Sequence, residues 1–242
     1  VSRLLIVATL LCLAGTAAAF ELLRVDNNPC SRDRQHLFWR GASVPVSIGL
    51  LPEPQRGQAD EARNRWNLSL SRFRFGAGSG TPCTRDGIAT FELTSTPCGL
   101  AQFGDALAIT RSVWTSDDGA LVDADVAFNA NSFIVNDASA FLEVAMHELG
   151  HVLGLDHSDA CGGAGQGTLM EARLTPPRLD APQADDVAGA ETIYPGDDDD
   201  GDGTVPEGAN SCAVAAPTSS ASAWPLAGLA LVGLWRMWHR RR

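Results

Sequence analysis

The chain has 242 residues, a hydrophobic share of 45% and a formal charge of −11, which suits one globular domain with extensions and excludes wholesale disorder. Its 18 basic residues are all arginine and are outnumbered by 29 acidic ones. That balance argues against a nucleic-acid partner, whose phosphates need a basic face.

In chain order, residues 1–19 read as a secretory signal peptide: an arginine near the start, an apolar run from Leu4 to Leu13, and Ala17-Ala18-Ala19 before the expected cleavage. Residues 20–43 read as irregular, with a turn at Asn27-Asn28-Pro29. VPVSIGL (44–50) has the alternation of a strand, which Pro52 and Pro54 stop. A helix is expected from about Gln58 to Leu70, with Trp66 facing inward. RFRFGAGSG (72–80), IATFELTS (88–95), ALAITRSV (106–113) and LVDADVAFN (121–129) read as strands, the last with Val122, Ala124, Val126 and Phe128 on one face. A second helix is expected from Asn136 or Ser139, with N-cap chemistry in NDAS, to a stop at Gly154.

That helix carries the chemistry. Three of the five histidines fall within HELGHVLGLDH (147–157). His147 and His151 stand four residues apart, which sets them on one helix face about 40° apart, and Glu148 projects about 60° beyond His151 on the same side. Gly154 lets the chain turn so that His157 can return as a third ligand. Three neutral imidazoles leave one position of a tetrahedral zinc open, the arrangement of a catalytic site. Zinc there would lower the pKa of water toward ~7, with Glu148 as the base. The full pattern is H-E-x-x-H-x-x-G-x-x-H, the metzincin signature. Its further demand, a methionine turning beneath the metal, is met by Met170, thirteen residues after His157.

The chain thereby resembles a matrixin. Ser158 follows the third histidine, Gly150 precedes the second, LAITRSVW…DDGALVDADVAFN resembles the edge strand and its neighbour, and LDAPQADDVAGAETIYPG (179–196) resembles the closing helix. The resemblance covers roughly residues 38–195. It implies an α+β catalytic domain with a twisted, mixed five-stranded sheet and about three helices. It also implies a zinc endopeptidase whose extended protein or peptide substrate lies along the edge strand. The pattern departs at Glu171-Ala172-Arg173, where the family has Tyr-Pro, and in lacking the histidines of a second, structural zinc. A non-catalytic surface binding module on the same fold is the alternative.

Four cysteines remain between the two ends: Cys30, Cys83, Cys98 and Cys161. An even set in an exported chain favours disulfides. Cys83 with Cys98 closes a local loop and leaves Cys30 with Cys161; three pairings are open in principle. Calcium has two candidate sites, Asp198, Asp200 and Asp202 in the acidic run 196–211, and Asp117, Asp118, Asp123 and Asp125 in the domain. The acidic run otherwise reads as a hydrated spacer.

Residues 212–242 join Cys212, the apolar WPLAGLALVGLW (224–235) and terminal arginines. They resemble the tripartite sorting tail of myxobacterial surface proteins. The expected organisation is thus a signal peptide at 1–19, a peptidase domain at 20–195, a spacer at 196–211, and a membrane or sorting tail at 212–242. A monomer at the cell surface, or released from it, is expected.

Overall fold

A computed structural model describes residues 20–98, 102–162 and 167–195. The signal segment, the acidic run with Asp198, Asp200 and Asp202, and the C-terminal tail lie outside the described residues.

Two short strands that periodicity does not reveal come first, β1 (Glu21–Leu22) and β2 (Phe38–Trp39). Then follow β3 (Ser43–Ser47), α1 (Gln55–Ser69), β4 (Arg74–Ala77), β5 (Ala89–Thr94), β6 (Ala108–Trp114), β7 (Ala120–Asn129), α2 (Ala138–Leu153), β8 (Leu155–Asp156) and α3 (Ala184–Ile193). A 3-10 turn at Phe133–Asn136 leads into α2. The architecture is α+β with three helices and a mainly parallel sheet.

That sheet has the order β2-β7-β5-β3-β4, with β6 also paired to β7. The five expected strands are all present, and the sheet gains a sixth because β2 pairs in parallel with the start of β7. β5 pairs in parallel with the far half of β7, and β6 runs antiparallel along its opposite edge. Among the described residues β6 is an edge strand. A separate two-stranded sheet joins β1 to β8, just before His157. The segment 20–43 is therefore not irregular throughout: its residues complete both sheets.

The two long helices pack together on the sheet. Trp66 of α1 is fully buried and donates its indole N–H to Met146 O at 2.8 Å, so it is core. Phe128 of β7 stacks on Phe141 of α2 with ring centroids 4.6 Å apart. Fully burying each such side chain stabilises the fold by about 1.5–3 kcal/mol.

β7 is buried on both faces. Ala124, Val126 and Phe128 fill one, as expected, whereas Val122, expected on the same face, is 38% exposed. Asp123 and Asp125 lie buried on the other face, and they serve the loop before β5. Asp125 accepts the backbone N–H of Cys83 at 2.7 Å and of Thr90 at 3.0 Å; Asp123 accepts that of Gly87 at 3.3 Å. Asp117 and Asp118 instead sit on the hairpin turn, with Asp118 held by Arg40 and Thr115. Among the described residues, these four acids do not gather within ligand distance of one another.

Disulfides join Cys83 to Cys98 and Cys30 to Cys161. No helix among the described residues is long and apolar enough to cross a membrane.

Candidate active site

α2 begins at Asp137, whose carboxylate accepts the N–H groups of Ser139 and Ala140 at 3.1 and 3.0 Å. This satisfies donors that a helix start leaves unpaired. The helix ends at Gly154, at φ 109°, where a Cβ would stand 2.6 Å from Leu37 O. Only glycine combines that left-handed backbone with so close a neighbour. The turn carries the chain through β8 and brings His157 back over the helix.

The three imidazoles converge. Their ligand atoms lie within 4.8 Å of one another, and Nε2 of His151 stands 3.3 Å from Nε2 of His157. Zinc–nitrogen bonds of about 2.0–2.1 Å place two ligands of a tetrahedral ion about 3.3–3.4 Å apart, so that separation fits a shared zinc. The tautomers fit as well. Nδ1 of His147 faces Leu169 O at 2.8 Å, and Nδ1 of His151 faces Leu155 O at 2.8 Å. A carbonyl can only accept, so each Nδ1 carries the proton and each Nε2 keeps its lone pair for metal. Burial, reinforced by repulsion between neighbouring imidazoles, lowers the pKa of His147 and of His151 to about 4, which keeps both neutral near pH 7.

Glu148 is 4% exposed. Burial raises its pKa, while neighbouring imidazoles and a hydrogen bond from Thr110 hold it down. Thr110, on β6, donates to its Oε2 at 2.5 Å. A buried carboxylate with a raised pKa is a stronger base than one in water.

Met170 lies against the α2 backbone at Gly150. Gly150 makes room for it, since a Cβ there would stand 2.3 Å from the Met170 sulfur. Asp186 of α3, 1% exposed, fixes this floor by accepting the N–H groups of Leu169, Met170 and Gln183 at 3.0, 3.1 and 2.7 Å. Its one signal in the sequence is its place as an acidic residue three positions past Gln183, in capping-box spacing.

A cleft of about 1660 Å³ runs past these groups, between β6 and the segment 171–179. Glu171, Ala172 and Arg173 lie in its far wall. Glu171 accepts the Gly167 N–H at 2.5 Å and the Ala172 N–H donates to Asp159 at 3.2 Å. Arg178 ties that wall to α2 through Glu143, 3.8 Å away.

A search of the curated proteins gave no match. The family model for matrixins matches residues 65–195, more than half of the chain, from α1 through α3. The matched span contains the three histidines, Glu148 and Met170, and with the geometry of their cleft it places this chain in the matrixin family of zinc metallopeptidases.

Proposed function

We propose that the protein is an exported zinc endopeptidase that cuts extended protein segments lying along β6. One observation carries this reading: three imidazoles with converging ring nitrogens, a buried carboxylate beside them and an edge strand line a single open cleft.

His147, His151 and His157 would hold one zinc, which supplies a Lewis acid that polarises a peptide carbonyl and makes water acidic near neutral pH. Glu148 takes the proton of the attacking water and returns it to the departing amine. The Nδ1 bonds to Leu169 and Leu155 keep the first two rings aimed. Met170 shapes the floor and moves no proton. A substrate strand adds to the edge of β6 through main-chain hydrogen bonds, which orient the scissile peptide without demanding one side chain.

Residues 20–195 would form the peptidase domain. The signal segment at 1–19 would direct export, the acidic run at 196–211 would space the domain from the surface, and residues 212–242 would sort or anchor it. The sequence features of those segments support these parts of the reading. Calcium at Asp198, Asp200 and Asp202 remains a secondary part of it, resting on the D-x-D-x-D-G spacing.

The test is cleavage of a denatured generic protein by the zinc-loaded chain, beside Glu148→Ala and a chelated sample. Cleavage lost in both controls is expected. Equal cleavage by a clean Glu148→Ala preparation would remove Glu148 from its role. A folded, zinc-bound chain that cuts nothing would favour a binding module.

A further inference from the structure

We infer that Thr110 is a positioning residue for Glu148, and that through it the docking of a peptide along β6 sets the aim of the base. The inference rests on the peptidase reading and adds a residue to it.

Thr110 sits in the middle of β6, opposite Val126 of β7. Its hydroxyl lies 2.5 Å from Oε2 of Glu148 and 3.4 Å from the Glu148 carbonyl. A hydroxyl has one proton to give, and the short contact to a carboxylate is much the stronger of the two. Oε2 is thereby occupied. Oε1 makes no hydrogen bond to the described residues and is not among the enclosed unpartnered atoms, so it is the oxygen open to the cleft. The two oxygens divide the work: one is anchored, the other is presented to water.

The anchor comes from the strand that would hold the substrate. Threonine is branched at Cβ and stiff at χ1, so its hydroxyl direction follows its backbone. Among the described residues β6 has no strand on its outer side. A peptide that pairs there fixes the backbone at residue 110, and with it the hydroxyl and the carboxylate. Binding energy from remote parts of a substrate would then appear in kcat.

The experiment compares full-length wild type with Thr110→Val, which keeps the shape and loses the donor, and Thr110→Ser, which keeps the donor. Each is loaded with zinc and given a peptide of about four residues and one of about eight. We expect Thr110→Val to lower kcat about tenfold with KM within about twofold, and to lose the gain in kcat that the longer peptide gives. Thr110→Ser should stay within about threefold of wild type.

Zinc affinity by chelator competition and the melting temperature should not change. Acetohydroxamate, which needs both zinc and the free base but no turnover, should bind Thr110→Val about tenfold more weakly by calorimetry. Unchanged kcat and hydroxamate affinity in Thr110→Val would overturn the inference. So would matching losses in both variants, or a loss that tracks zinc content or melting. If wild type cuts no peptide, the peptidase reading fails, and the hydroxamate comparison alone then decides the role of Thr110.

Discussion

Asp186 accepts the N–H of Met170 at 3.1 Å with one carboxylate oxygen and the N–H of Leu169 at 3.0 Å with the other. Leu169 in turn offers its carbonyl to Nδ1 of His147 at 2.8 Å. The closing helix is thus two hydrogen bonds away from His147, the first histidine of the triad. Asp186→Ala removes the acceptor for three backbone donors, each costly to leave buried and unmet. We expect a stability loss of about 3–5 kcal/mol in denaturant unfolding. Because His147 loses the support of its carbonyl partner, zinc affinity should also fall about 10–100-fold. Wild-type zinc affinity in a folded Asp186→Ala would show that the floor does not orient the ligand.

Tyr194 makes a comparable link at the other end of α2. Its hydroxyl donates to Leu153 O at 2.8 Å and accepts the N–H of Trp39 at 3.1 Å. One of the carbonyls that the helix end leaves over is satisfied this way, and so is a donor of β2. Tyr194→Phe leaves both without a partner at a largely enclosed site. Its expected cost is about 1–3 kcal/mol, with zinc content unchanged. A melting temperature equal to wild type would mean that water replaces the hydroxyl.

How much of this was legible depends on how local each signal is. The histidine spacing, the glycine stop and the methionine lie within one stretch of 24 residues, and helix geometry alone sets the first two histidines on one face. The long strands announce themselves by alternation. β1 and β2 have two residues each and no period to read, so only their partners across the fold define them. Asp186 looks like an ordinary acidic helix start until the chain brings Leu169 and Met170 above it. Thr110 looks like a common strand residue until α2 packs against β6. Asp123 and Asp125 offered calcium by composition, whereas the structure commits them to backbone donors that no sequence pattern pairs with them.

Asp123 also carries a pH signature. It is fully buried, its Oδ2 has no hydrogen-bond partner, and Asp125 and Asp86 stand near it, opposed only by the N–H groups of Gly87 and Asp86. Burial first, and Asp125 second, raise its pKa from 3.8 to about 6. Between those values the native chain holds a proton that the unfolded chain has released, so this group's contribution to stability falls as pH rises from about 4 to about 6. The full difference is on the order of 3 kcal/mol. Asp123→Asn removes the charge, so it should flatten that part of the pH profile and melt higher than wild type at pH 8. A wild-type slope that persists in Asp123→Asn would assign it to other groups.

The two disulfides should differ in kind as well as in size. Cys83–Cys98 closes a separation of 15 residues and Cys30–Cys161 one of 131, for which chain entropy gives about 3 and about 5 kcal/mol. Their positions differ more. Cys83–Cys98 staples the loop whose Cys83 N–H Asp125 accepts. Cys161 lies four residues past His157, and its bond to Cys30 ties that loop to the N-terminal segment whose β1 pairs with β8. Paired Cys→Ser replacement of Cys83 and Cys98 should therefore lower the unfolding midpoint and leave zinc affinity near wild type. Replacing Cys30 and Cys161 should cost more stability and should also weaken zinc, because the third ligand then hangs from a loop held at one end. Parallel chelator competition on the two double variants checks this: equal zinc affinity in both would mean that β1 and β8 alone hold His157 in place.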